Sequence, residues 1–343
     1  MARSVQQERS DRSAGAFVDA RARRRYIVVL AVLVVTSIVF GAGVLAWDNP
    51  MPFGSEGFWR IAKHRTTNVT VMAIVAVAQA VATVAFQTIA NNRIITPSIM
   101  GFESLYRVVQ TTTVYLFGAA GLVAIRGVWQ FGLQIVIMVS LAMALYGWLL
   151  SGRYGNLQIM LLIGIIIGGG LAAISTFMQR LLTPSEFDVL AARLFGNVSN
   201  ADASYLPLAI PLCIAAAALL WMRSRRLNLM SLGPDAARSL GLDHRREQLS
   251  VLFLVAVLMA TSTALVGPMT FLGFLVATLA YQFADTYDHR LIFPVAVLTA
   301  FTILAGAYFV MKNVFYAQGM VSILIELVGG VVFLFVILRK GRL

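Results

Sequence analysis

The chain has 343 residues, of which 59% are hydrophobic and only 12% are charged, and its mean hydropathy is +0.82. A soluble domain carries about 25% charged residues, so this composition excludes an ordinary soluble enzyme, a disordered chain and a nucleic-acid-binding protein with a soluble core. In a membrane protein, the basic residues behind the net charge of +12 indicate which segments lie on the cytoplasmic side of the bilayer. The single cysteine, Cys213, excludes a disulfide framework within the chain.

The hydrophobic segments come first in chain order, because a bilayer core of about 30 Å needs roughly 20 apolar residues in a helix. The sequence predicts an all-α integral membrane protein with ten spans. Their bounds are 26–47, 67–90, 99–119, 127–150, 157–177, 205–222, 249–266, 268–283, 291–310 and 320–338. The first span follows a polar, arginine-rich head and lacks a clear cleavage site, which favours a retained membrane anchor over a signal peptide.

The distribution of basic residues orients these spans. If the amino terminus is cytoplasmic and the count is ten, most of the 27 Lys and Arg residues lie in cytoplasmic segments. The sequence therefore predicts that both termini are cytoplasmic, with a tail over 1–25 and one transmembrane domain over 26–343. The basic loop 223–248 stays inside only if an even number of spans precedes it, so the charge bias also tests the count.

That basic loop contains a short segment with a helix signal at each end. Gly233 can cap the start, Pro234 has its φ preset for the first helical position, and Asp235 complements the positive end of the helix dipole. Gly241 can adopt the left-handed conformation that ends a helix. The pattern predicts a two-turn helix from Pro234 to Leu240, which is too short to be stable alone and needs the membrane domain on one side and a partner on the other. The alternative is an incidental surface turn.

A second polar segment, 87–105, joins the second predicted span to the third. Asn91, Asn92 and Pro97 break the helix there, and Gly101 permits a close approach of backbones. Polar atoms so near to hydrocarbon must find partners within the protein, so we expect a structural role for these side chains.

Three ionisable residues fall within predicted spans. Glu103 and Arg107 are four residues apart on one helical face, and this spacing predicts that they pair. Glu326 has no obvious partner in the sequence, so it either faces a transport path or bonds a neighbouring helix. These residues leave open a rival function, an ion-coupled secondary transporter that uses Glu103 and Glu326 and needs no ATPase.

The polar segments resemble the FecCD-type permeases, the membrane subunits of bacterial (type II) ABC importers for iron-siderophores and vitamin B12. Four motifs carry the resemblance: Gln87, Asn92, Pro97 and Gly101 after the second span; the stretch 232–242; Gly267-Pro-Met-Thr-Phe-Leu-Gly-Phe274; and Gly329-Gly-Val-Val-Phe-Leu334. They occur in the family's order between about residues 60 and 340, and the family has ten helices. Asn68 departs from the pattern, because the family commonly has arginine there. The stretch from Asn91 to Gly101 looks like the subgroup that handles ferric siderophores.

The resemblance implies a permease subunit of an ATP-driven importer of ferric siderophores, with haem or vitamin B12 as alternative cargo. The sequence has no P-loop, so the chain is not expected to be an enzyme and ATP hydrolysis would belong to a separate subunit. The implied partners are a second permease (identical or paralogous), two cytoplasmic ATPases, an extracytoplasmic siderophore-binding protein and the lipid of a bacterial cytoplasmic membrane. No cofactor, metal or nucleic acid is expected.

The same resemblance suggests roles for individual residues. The ATPase-coupling segment would comprise Gly233, Pro234, Asp235, Ala236, Ala237, Arg238, Ser239, Leu240 and Gly241. The binding protein would dock on Arg65, which matches a family position, and on Arg60, Lys63 and Lys312, which are candidates from charge alone. The translocation path or its gate would include Ser151, Asn156 and Glu326.

Overall fold

The computed structural model describes residues 15–124, 127–151, 157–315 and 321–340, and within these ranges the regular structure is helical. The helices are α1 Ala20–Ala46, α2 Glu56–Ala90, α3 Phe102–Ala124, α4 Val128–Ser151, α5 Leu157–Gln179, α6 Pro184–Leu194, α7 Leu206–Met222, α8 Ser224–Met230, α9 Pro234–Ser239, α10 His244–Val266, α11 Thr270–Ala284, α12 His289–Asn313 and α13 Val321–Lys340. Short 3₁₀ turns lie at Ser98–Met100, Val198–Asn200 and Ala203–Tyr205.

The core is built around α2 and α10, whose apolar stretches are mostly buried. These two helices pack against each other, α12 packs on α2, and α4 and α7 pack on α10. The apolar faces of α1 and α5 are largely exposed instead, as expected for helices that meet lipid or another membrane subunit.

Polar contacts define two ends of this bundle. At one, which we call the α9 end, Arg25 at the start of α1 pairs with Asp285 after α11 at 3.0 Å, and Thr88 near the end of α2 contacts His289 at the start of α12. At the other, the α6 end, the Asn68 amide donates to the Tyr308 hydroxyl at 2.9 Å.

Seven of the described helices are long and apolar enough to cross a membrane: α1, α2, α4, α5, α7, α10 and α12. Helix α11 and the described stretch 321–332 are shorter apolar helices. Helix α3 carries Glu103 and Arg107 in its first two turns, and its backbone leaves helical geometry at Gly118, where φ is 68°.

Several helices reach further than the sequence predicts, and α1 and α2 do so by the most residues at their starts. Helix α1 begins at Ala20, where the Asp19 carboxylate caps it, rather than at Tyr26. Helix α2 begins at Glu56, capped by Ser55, and not at Thr67. Its 35 residues extend about 52 Å, which exceeds the bilayer core and carries the helix well beyond it.

The segment between α2 and α3 is irregular, and side chains bond several of its backbone groups, although Gln87 Oε1 and Thr96 Oγ1 are buried without a described partner. The Gln87 amide donates to the Arg93 carbonyl at 2.7 Å, and the Asn92 side chain accepts from the Ile94 N–H at 2.9 Å. The Tyr146 hydroxyl donates to the Met100 carbonyl at 3.1 Å. Because a side chain covers each of these backbone groups, the segment can lie within the protein without helical hydrogen bonds.

The sequence does not predict α6, which lies in a stretch that looks like a polar loop. The Thr183 N–H and hydroxyl both donate to the Glu186 carboxylate, at 3.0 and 2.8 Å, and form a capping box. These bonds favour the charged form and lower the pKa of Glu186. Helix α6 packs on α3 through Leu190, which contacts Val114.

Candidate functional site

The short helix predicted in the basic loop is present as α9, with the predicted start and stop. Gly233 lies at φ 95° before Pro234, and Gly241 lies at φ 82° after the helix. The Gly241 N–H donates to the Arg238 carbonyl at 2.9 Å and the Leu242 N–H to the Ala237 carbonyl at 3.0 Å. This is the hydrogen-bond pattern of a Schellman motif, so the helix is ended by its own sequence.

Helix α9 has one buried face and one free face. Ala237 is fully buried where α9 packs against α8 and α10. Asp235 and Arg238 point away from the bundle and lie 3.8 Å apart, with the Arg238 side chain 66% exposed and that of Asp235 fully exposed. An ion pair so exposed contributes little to stability, so these charges remain available to a partner.

Two leucines frame the free face. Leu232 is 61% exposed before α9, and Leu240 is 59% exposed at its end. Both lie in a polar loop at the α9 end, among arginines, where exposed apolar side chains have no lipid core to enter. Exposed apolar groups rimmed by polar residues are typical of a protein-docking surface.

Helix α8, which the sequence analysis did not predict, holds α9 against the bundle. Its Arg226 forms an ion pair with Glu247 of α10, and Arg223 lies 3.7 Å from the same carboxylate. Glu247 is 8% exposed, so water competes weakly for it. Asn228 of α8 bonds to the start of α12, with its Nδ2 donating to Asp288 Oδ1 at 3.1 Å.

The basic residues suggested for a docking surface lie together at the α6 end. Arg65 donates to the carbonyls of Trp47 at 2.6 Å and Asp48 at 3.0 Å, so it also caps the end of α1. Lys312 lies within electrostatic range of Arg65. Arg60 pairs with Glu56 at 3.4 Å, and both side chains are exposed. Lys63, one turn later, is exposed.

Glu103 does not pair with Arg107, and that prediction is wrong. Among the described ion pairs none joins these two residues. The Thr270 hydroxyl donates instead to the Glu103 carboxylate at 2.6 Å, from α11. Glu326, which lacks a partner in the sequence, lies within electrostatic range of Arg107 and Glu103. The three charges therefore form one electrostatic group on α3 and α13, in which Glu103 is buried and Arg107 is exposed.

The other two residues suggested for the path give less information. Ser151 ends α4, and Asn156 lies outside the described residues. The sequence does not predict a cavity of about 420 Å³ toward the α6 end, which lies between α3, α4, α6 and α10 and is lined by both polar and apolar side chains. The Gln110 amide donates across it to Gln134 at 3.0 Å, and Tyr106 and Arg193 also line it. No local pattern marks this cavity, because its polar residues come from separate helices.

Three comparisons with known proteins agree. The sequence profile of the FecCD transport family matches residues 27–339. The chain is 52% identical to the petrobactin import system permease protein FatC of Bacillus anthracis, over 97% of this chain and 94% of that protein. It is 34% identical to the petrobactin import system permease protein YclO of Bacillus subtilis (strain 168), over 86% of this chain and 90% of that one. The fold matches the inward-facing structure of a putative metal-chelate type ABC transporter with a TM-score of 0.79, at 20% identity, over 90% of this chain and 98% of that one.

Proposed function

The chain belongs to the FecCD transport family, and from this premise we propose that it is the permease subunit of an ATP-driven importer of ferric siderophores in a bacterial cytoplasmic membrane. The observation that carries the proposal is α9, a short helix with its own stop signals, one face seated on the bundle and the other face free. A transport protein without a P-loop needs such a contact to receive energy from an ATPase.

The proposed topology has ten spans, with the α9 end in the cytoplasm. The described helices include ten of 15 residues or more, α1 to α5, α7 and α10 to α13. The α9 end carries the basic cluster from Arg223 to Arg246, as expected for a cytoplasmic face.

The partners follow from the two ends. At the α9 end, residues 233–241 would contact a cytoplasmic ATPase, with Leu232 and Leu240 as apolar anchors and Arg238 as a polar contact. At the α6 end, the group of Arg60, Lys63, Arg65 and Lys312 would attract an acidic surface of a siderophore-binding protein. The exposed apolar side of α5 would face a second permease, identical or paralogous.

ATP would act through these contacts as a bias on a two-state bundle. An ATPase that binds α9 more tightly in one arrangement of the helices shifts the population toward that arrangement. Glu326 and the neighbouring charges on α3 would lie beside the path, where polar groups are expected. Ser151 and Asn156 remain proposed gate residues on the basis of their position before α5.

The cargo proposed is a ferric siderophore, with petrobactin the first to test, because FatC and YclO both carry that name. The test is uptake into vesicles of the reconstituted complex of permeases, ATPase and binding protein. We expect iron-labelled petrobactin to accumulate with ATP and to fall to the background of empty vesicles without it. Competition by haem or cobalamin would identify those alternatives as the cargo, and equal uptake without ATP would contradict the proposal.

Glu103 offers a test against the ion-coupled alternative. Its carboxylate is 6% exposed and is held by Thr270, so a structural role accounts for it. We expect Glu103→Gln, which keeps the shape and an acceptor oxygen, to leave ATP-driven uptake within about twofold of wild type, since a neutral replacement also removes the cost of burying a charge. Uptake measured with and without a proton gradient checks this, and a Gln variant that loses gradient-dependent uptake would favour the secondary transporter.

A further inference from the structure

Asn228 of α8 is bonded to two other helices through one buried histidine. Its Oδ1 accepts from the His289 N–H at 3.1 Å and lies 2.5 Å from His289 Nδ1. Because Asn Oδ1 only accepts, His289 Nδ1 carries the proton. On the other side of the ring, Nε2 lies 2.6 Å from the Thr88 hydroxyl, which also donates to the Val84 carbonyl at 2.8 Å within α2. The bond from Asn228 Nδ2 to Asp288 fixes the orientation of the amide.

This chain of bonds joins α8 to the first residue of α12 and to the last turn of α2. His289 is 2% exposed and Thr88 is 6% exposed, so both side chains are largely withdrawn from bulk solvent. Hydrogen bonds in such surroundings hold a fixed geometry, and removal of one partner leaves the other unsatisfied. The connection spans three helices that lie far apart in the sequence.

Helix α8 is also the support of α9. Three residues separate the two helices, and the Gly233 N–H donates to the Met230 carbonyl at 3.1 Å. A displacement of α9 therefore displaces α8. Two sets of polar contacts connect α8 to the bundle, namely the ion pairs with Glu247 of α10 and the Asn228 bonds to α12 and α2.

Close packing supports the second connection on one side, where Leu227 and Met230 of α8 are buried in the core. A polar cavity of about 260 Å³ borders it, with Thr88, His289 and Ser231 in its wall. Side chains next to an open space can shift without meeting a neighbour, so on the cavity side the relative position of α8 and α12 depends on the hydrogen bonds.

We propose that Asn228 is a positioning residue that transmits movement of α9 to α12 and α2, so that the three helices move as one body when the ATPase acts. The proposal rests on the proposed contact of α9 with an ATPase. Movement at the ATPase contact would reach α12 and α2 through α8. Without this connection, the complex would still bind the ATPase and hydrolyse ATP but would import less chelate per ATP. Without the docking face of α9, the ATPase would not bind the permease.

The test uses Asn228→Ala in the reconstituted complex, with iron-labelled petrobactin and ATP. We expect normal co-purification of the ATPase and retained ATP hydrolysis, while the amount of chelate imported per ATP falls by about tenfold. The matched control is Ser231→Ala at the C-cap of the same helix, which removes a hydroxyl that donates to the nearby Asn228 carbonyl at 2.7 Å and is expected to leave the ratio unchanged.

A second variant keeps the test decisive if Asn228→Ala does not assemble. Thr88→Val removes the hydroxyl partner of His289 with little change of volume, and we expect it to lower import per ATP by about threefold. Unchanged import per ATP in both variants would overturn the proposal, and so would a parallel loss of ATPase binding in both. If wild type shows no ATP-dependent uptake, it is the proposed function that fails, whereas a coupled wild type with unaffected variants removes only the role of Asn228.

Discussion

Leu240→Asp is expected to reduce co-purification of the ATPase by at least about tenfold while leaving the permease folded and inserted. Leu240 is 59% exposed at the end of α9, next to Arg238, at the end of the bundle that we assign to the cytoplasm. An apolar anchor that enters a pocket on a partner carries much of the binding energy, and a carboxylate there would lose its hydration without gaining a partner. Because the leucine has little burial to lose, folding should be unaffected.

The measurement is pull-down of the ATPase by the purified permease in detergent, with ATP hydrolysis of the assembled complex as a second readout. Val18→Asp is the matched control, since Val18 is 80% exposed at the same end and receives the same change of chemistry and charge. Equal retention of the ATPase by the two variants would contradict a docking role for the free face of α9. A smaller amount of Leu240→Asp protein in the membrane would instead indicate a folding role.

The parts of the site that the sequence predicts are those marked by residues close together in the chain. Gly233, Pro234 and Gly241 act within a few residues, and they give α9 the predicted start and stop. The irregular segment after α2 is marked by Asn92 and Pro97 for the same reason. Such signals are read from neighbouring residues and do not require knowledge of the tertiary structure.

The features missed by the sequence analysis depend on distant residues or on helix outside the membrane. The spacing of Glu103 and Arg107 favours a pair on one helix, but Thr270, 167 residues away, provides the acid with a bond from α11. Asn228 meets His289 across 61 residues. The first turns of α2 carry charged residues such as Arg60. A search for apolar membrane spans assigns these turns to a loop, although the helix extends beyond the lipid.

Helix α6 is a different case, because its signal was present. Thr183, Pro184 and Glu186 form the sequence of a capping box with proline at the first helical position. The helix is 11 residues long and lies in a polar stretch, so a search for spans of about 20 apolar residues passes over it. A capping motif in the polar segment of a membrane protein therefore predicts a short helix, as it does in a soluble protein.

The turn between α10 and α11 holds the α6 end together. The Asn197 N–H donates to the Val266 carbonyl at 2.8 Å, and the Ser322 N–H donates to the Gly196 carbonyl at 3.2 Å. Gly267 lies between these contacts at φ 89°, and a Cβ there would lie 3.0 Å from the Phe195 carbonyl oxygen and 3.1 Å from that of Arg193. Both atoms belong to backbone that is fixed by the neighbouring bonds, so it cannot move aside at small cost.

Gly267→Ala is therefore expected to destabilise the protein by about 3 kcal/mol, which combines about 1–2 kcal/mol for the left-handed backbone with the cost of crowding the two carbonyls. Gly54→Ala separates these causes, because Gly54 has φ 84° but no atom within 4 Å of its Cβ position. Thermal unfolding of the detergent-solubilised variants should show a larger decrease in Tm for Gly267→Ala. Equal decreases would mean that the carbonyls yield, and the turn would then not be the rigid junction between α10, α11 and α13 that the packing indicates.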